Sequence, residues 1–238
     1  MRVKYRLGIQ FIDSGRHIKM TVRKEFDHGL ENLHQWIVEM GNFVEKALAE
    51  AVGALKDVDT KRATEVIEAD HELNAMEEKI MELGARLIAT QQPVAKDLRR
   101  ILSAFRIASD LERMGDLSVD IAKTVLRLEG QPLIKPLIDL PRMAEIVATM
   151  TYESIQSFIN ENVDLAYKMA KDDDQVDALY GQITRELMML MMENPRNIAQ
   201  ASLLSFVSRH LERFGDHATN IGESVVYLVT SERPDLNQ

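Results

Sequence analysis

DLERMGDLSVDI occupies residues 110–121, and HLERFGDHATNI occupies residues 210–221. The two stretches share Leu, Glu, Arg, Gly, Asp and a closing Ile in register. Working outward, apolar residues step by three and four along six segments, the period of an amphipathic helix. Leu30, Leu33, Ile37, Met40, Val44 and Leu55 mark the first segment. Ala63, Val66, Leu73, Ile80 and Leu87 mark the second. The third carries the first acidic phrase and ends at Gly130, a residue suited to closing a helix. GQPLIKPLIDLP then holds three of the six prolines, so the longest non-helical stretch falls there. Met143, Met150 and Phe158 mark the fourth segment, with Pro141 placed to open it. Val176, Leu179, Ile183 and Leu187 mark the fifth. The sixth carries the second acidic phrase.

Three helices, a proline-rich link and three more helices constitute an internal repeat. Setting Asp70 against Asp173 pairs Leu73 with Val176, Asn74 with Asp177, Met76 with Leu179 and Ile80 with Ile183. The expected fold is all-α: two tandem three-helix bundles, at 20–130 and 142–238, joined by a linker at 131–141. Residues 1–19 alternate Val3, Tyr5, Leu7, Ile9 and Phe11 with polar residues or glycine. They are expected to be an extension outside the fold, with Met20 as a natural helical start.

Composition narrows the function. The chain lacks cysteine, which excludes disulfides, thiolate metal sites and cysteine nucleophiles. Its net charge of −9 disfavours nucleic acid as a partner. No apolar run reaches the length of a membrane span. Gly-rich phosphate loops, a Ser–His–Asp order and a dinucleotide fingerprint are absent from the sequence. The Met-rich ELMMLMM is expected to fill core.

The acidic phrases carry the candidate chemistry. Phe105, Ala108, Glu112, Gly115 and Val119 recur at helical steps, which sets Glu112 in an apolar seam with Asp116 and Asp120 alongside. The second copy repeats this with Glu212, Asp216 and Asn220. Asp70 and Asn74, then Asp173 and Asp177, add a second spacing of four on the preceding helices. Like charges one turn apart repel, and more so near a core. A cation would compensate, and carboxylate and carboxamide oxygens suit Mg²⁺, Mn²⁺, Ca²⁺ or iron. Arg113 and Arg213 offer a plainer neutralisation as ion pairs. Gly115 and Gly215 leave room for a neighbouring helix. The Glu-x-x-His pairs at His28, His34 and His71 are not mirrored in the second half and read as chance. His210 and His217 flank the second phrase without counterparts in the first.

Both acidic phrases, VIEADHELNAME, MAKDDDQVDALY, MGNFVEKAL and QQPVAKDLRRI resemble the PhoU family of phosphate-signalling regulators, over residues 21–229. The resemblance implies a homodimeric cytoplasmic adaptor, peripheral to a membrane complex and not inserted in it, without enzymatic activity. It implies metal ions (Mg, Mn, Zn or Fe) at Glu112, Asp116, Asp120, Glu212 and Asp216, with Asp70, Asn74, Asp173 and Asp177 as further candidates. It implies two partners, the phosphate ABC transporter ATPase and the phosphate-sensing histidine kinase, both held in check when phosphate is ample. Asn220 stands where Asp120 is mirrored, so the second site is expected to be one charge poorer. An acidic site does not capture phosphate unless a metal bridges it. Two other functions fit the residues alone: a carboxylate-bridged metalloenzyme, and a metal-free helical scaffold.

Overall fold

The computed structural model describes the chain from residue 14 to residue 236, with side chains from residue 24 onward. The described residues form six α-helices: α1 (Ser14–Asp57), α2 (Thr60–Gln91), α3 (Lys96–Leu128), α4 (Asp139–Asn160), α5 (Val163–Glu193) and α6 (Ile198–Thr230). A single 3₁₀ turn, Pro195–Asn197, precedes α6. Helix α1 is already formed at Ser14, ahead of Met20. The strand-like alternation at residues 3–11 lies outside the described residues.

Local chemistry sets the helix ends. Asp59 caps α2 by accepting the backbone N–H groups of Lys61 and Arg62 at 3.0 Å each. Asn162 caps α5 by accepting from Leu165 N at 3.0 Å. Gly130 follows α3 with φ of +71°, the left-handed conformation that glycine adopts without a Cβ penalty. Helix α4 starts at Asp139, two residues before Pro141. Proline tolerates the first turn because the amide it lacks has no intrahelical acceptor there. Replacing Asp59 with Ala orphans two amide donors. A loss of about 1 kcal/mol is expected by urea denaturation, with unchanged slope; no loss would show that water caps α2 equally well.

Helices α1, α2 and α3 pack together, as do α4, α5 and α6. The two bundles then meet through α3 against α6 and α1 against α4. Helices α3 and α6 run antiparallel. Arg99 Nε donates to Leu228 O at 3.2 Å and Ser103 Oγ to Ser224 O at 3.1 Å. Farther along, Asp110 meets His217, and Asp120 shares a groove with Phe206 and His210. On the other seam Gly41 brings α1 close to α4, where an added Cβ would stand 2.8 Å from Ile155. His34 stacks on Phe158 at 5.1 Å. Lys96 and Arg100 both pair with Glu161 at the end of α4. One buried apolar cluster runs from Phe26 to Leu228 through both halves.

The proline-rich stretch is fastened to the second half. Gln200 donates from Nε2 to Pro132 O at 3.1 Å and accepts from Ile134 N at 2.5 Å, and Lys135 pairs with Glu186. The Met-rich segment departs from expectation: Met188, Met189 and Met192 are exposed. The buried stripe of α5 is Val176, Leu179, Ile183 and Leu187. Residues 188, 189 and 192 fall off that stripe at about 100° per residue.

Candidate functional site: two carboxylate clusters

Each bundle brings its two acidic spacings together on one pair of helices. In the first, Asp70 on α2 stands near Asp116 on α3. Burial, and then Asp116, push the Asp70 carboxyl above its ordinary range. Glu112 is pushed up by burial first, then by Asp116, Glu77 and Asp70. Asn74 donates to Asp70 at 3.2 Å, which opposes the rise. In the second bundle Asp173 is raised from 3.8 to about 7, by burial first and then by Asp177, Asp216, Glu212 and Asp174. Glu212 and Asp216 rise for the same reasons: burial leads in both, followed by Asp216 and then Asp177 for Glu212, and by Asp177 for Asp216. Arg113 pulls against the rise of Glu112, while Arg209 and Arg213 pull against that of Glu212.

The glycines make the approach possible. A Cβ on Gly115 would collide with Leu73 and stand 3.6 Å from an Asp70 oxygen. A Cβ on Gly215 would stand 2.8 Å from an Asp173 oxygen. Only a hydrogen at these positions lets α2 and α5 bring their acids so close to α3 and α6.

The structure redistributes the expected residues. Asp70, Asn74, Glu112 and Asp116 come together, and so do Asp173, Asp177, Glu212 and Asp216. Asp120 does not join them: it pairs with Lys123 at 3.2 Å and influences His210 across the interface. Asn220 likewise donates to Asp110 at 3.4 Å. Two steps of four residues rotate about 40° per step around a helix of 3.6 residues per turn, so the third residue turns away from α2 toward α6. Glu77 enters in Asp120's place, at spacings of seven and three from Asp70 and Asn74. The signal for it was the helical face itself. The mirrored residue is Tyr180, while Asn74 is mirrored by Asp177. Each cluster therefore carries four carboxylates, and the expectation of a second site one charge poorer is corrected. Glu112 is half-buried rather than sealed in the seam.

Two histidines border the clusters, His71 opposing the rise of Asp70 and His217 that of Asp216, but each ring has a hydrogen-bond partner elsewhere. His71 Nδ1 lies 2.6 Å from Glu68 O, and His217 Nδ1 lies 3.0 Å from Asp110. The clusters supply the hard oxygen donors that a divalent or ferric ion accepts. Among the described residues, however, no three such side chains already converge as ligands of one ion. The donor chemistry fits a metal; a closed coordination sphere would require side-chain rotation.

The fold and the paired acidic sites define a class: duplicated helical bundles with a crowded carboxylate cluster in each copy. The model of the PhoU domain matches this chain twice, at residues 37–125 and 140–225. The chain belongs to the PhoU family. It is 39% identical to a phosphate-specific transport system accessory protein PhoU homologue of Clostridium acetobutylicum, over 90% of this chain and 99% of that protein. It is 42% identical to the Aquifex aeolicus homologue, over 85% of this chain and 92% of that one. Among solved structures, PhoU from Pseudomonas aeruginosa superposes with a TM-score of 0.84 at 38% identity, covering 87% of this chain and all of that one. The Streptococcus pneumoniae phosphate transport system regulatory protein PhoU gives 0.82 at 33% identity, over 88% and 99%.

Proposed function

We propose that this chain is a non-enzymatic regulatory adaptor of phosphate homeostasis. It restrains uptake by the phosphate-specific ABC transporter and holds the phosphate-responsive histidine kinase in its repressing mode. It acts as a cytoplasmic homodimer, peripheral to the membrane complex, with metal ions at the two carboxylate clusters. The observation that carries this reading is near-full-length membership in a family whose relatives are named accessory and regulatory proteins of phosphate transport. Among the described residues no helix is long and apolar enough to cross a membrane, which accords with a peripheral role.

The clusters support the metal. Each site crowds four carboxylates; Asp70 and Glu112 in the first, and Asp173, Glu212 and Asp216 in the second, are raised by burial first and then by neighbouring acids, so the clusters are costly while bare. A bound cation would supply charge neutralisation. Glu112, Asp116, Asp70 and Glu77 would hold it in the first bundle, and Glu212, Asp216, Asp173 and Asp177 in the second. Their part is to fasten α2 to α3 and α5 to α6.

Two measurements test the reading. Immobilised protein should retain the transporter ATPase and the kinase, and Glu112→Ala/Asp116→Ala should weaken at least one capture. No complex with either partner, at high or low phosphate, would refute the adaptor role. Metal analysis of protein purified without chelator should give near-stoichiometric metal that falls by about half in the same double variant. Metal far below one per chain would refute the metal component alone.

A further inference from the structure

A third charged feature lies outside both carboxylate clusters. Between α3 and α6 a cleft of about 300 Å³ is lined by Arg106, Arg113, Arg233, Asp110, Asn220 and Glu223. Three guanidinium groups in one cleft are conspicuous in a chain of net charge −9. None of the three forms an ion pair within 4 Å among the described residues. The acids beside them are already engaged. Asp110 is held by His217 at 3.0 Å and by Asn220 at 3.4 Å, and Glu223 accepts Leu236 N at 2.8 Å.

That last bond folds the tail back after α6 and delivers Arg233. The arginines are also positioned. Arg106 and Arg233 lie over the Tyr227 ring, with Cζ at 5.7 and 4.7 Å from its centre. Stacking on one ring limits the freedom of both forks and keeps their N–H edges available. The repeat supplies an internal comparison. In the mirrored groove Phe206 replaces Arg106, and the cation Lys123 is spent on Asp120.

We propose that this cleft binds a phosphoryl dianion, borne on a small molecule or free, through the guanidinium groups of Arg106, Arg113 and Arg233. Planar forks bond phosphate oxygens in pairs, so three of them suit a tetrahedral dianion better than a monovalent carboxylate. The site differs from the acidic clusters in sign and place, and its ligand needs no bridging metal.

Isothermal titration in excess chelator tests this, because chelator removes any metal-bridged phosphate. The probes are glucose 6-phosphate, inorganic phosphate and glucose. Saturable binding of at least one phosphorylated probe is expected, with none of glucose. Arg113→Gln and Arg233→Gln should each weaken it about tenfold, whereas Arg86→Gln, which makes the same charge change away from the cleft, should not. Tighter binding of the sugar phosphate identifies an ester as the ligand; equal or tighter binding of inorganic phosphate identifies the free anion. The proposal is overturned if neither phosphorylated probe saturates at millimolar concentration. It is equally overturned if binding survives both cleft variants, or if Arg127→Gln in the mirrored groove abolishes it instead. Arg113 and Arg233 are exposed, so thermal melts of their variants should match the parent and separate lost binding from lost folding.

Discussion

Replacing Phe214 with Ala should destabilise the whole chain by about 3–5 kcal/mol, and Trp36 should report it. Phe214 is fully buried on α6, in the second bundle. Trp36 is the single tryptophan, and it sits on α1 in the first bundle, with Lys79 over its ring at 4.5 Å. The two residues belong to different copies of the repeat. They nevertheless border one continuous core that crosses the α3–α6 and α1–α4 seams. Urea unfolding followed by Trp36 emission and by helical circular dichroism should give one coincident transition, displaced equally in both signals by Phe214→Ala. Stability of domains commonly lies at about 5–15 kcal/mol, so the loss is a large fraction of the total. If the helical signal splits into two steps while Trp36 keeps its original midpoint, the bundles are independent units.

The second large effect is pH dependence in the metal-free protein. Asp173 ionises near 7 in the folded chain against 3.8 ordinarily. Its folded-state value is raised, so the folded state binds the proton more tightly than the unfolded one. The stability it contributes is fully present below about pH 4 and is lost as pH rises through about 7. Asp173 is only partly buried, and solvent screening reduces the effect to about 1–2 kcal/mol. Asp173→Asn should therefore raise the melting temperature at about pH 8 by roughly 3–6 °C relative to the parent, with little difference at about pH 4. Added divalent cation should stabilise the parent at pH 8 more than the variant. A difference that grows toward acid would show that Asp173 is stabilised as the anion.

These two results test features read from the sequence in different ways. The helices were legible because core positions follow a 3.6-residue period, as Leu73, Ile80 and Leu87 on α2 show. The duplicated phrase located α3 and α6 and the acids upon them. What failed were inferences that treated a spacing as a direction. Asp120 continued the series from Glu112 and Asp116 by number but not by face. Glu77 broke the spacing of four and yet stayed on the face. The Met-rich segment was assigned by composition, whereas its angle from the Leu187 stripe decides its exposure. The net charge of −9 described the average surface and concealed three arginines in one cleft. They come from separate places in the chain, and only the antiparallel pairing of α3 with α6 and the return of the tail assemble them.

The antiparallel meeting of α3 and α6 bears on how a repeated module becomes irreversible. Across that seam Asp110 faces His217 and Asn220, while Asp120 faces His210. Two copies of α3 in the same arrangement would set Asp110 against Asp120, acid to acid. Two copies of α6 would bring His210 to Asn220 and leave no carboxylate for His217. Each half now carries the residue its twin requires and withholds the one it would need for itself. The molecule has the outline of a symmetric pair but the grammar of two unlike subunits, so severed halves should reunite with each other rather than each with its own kind.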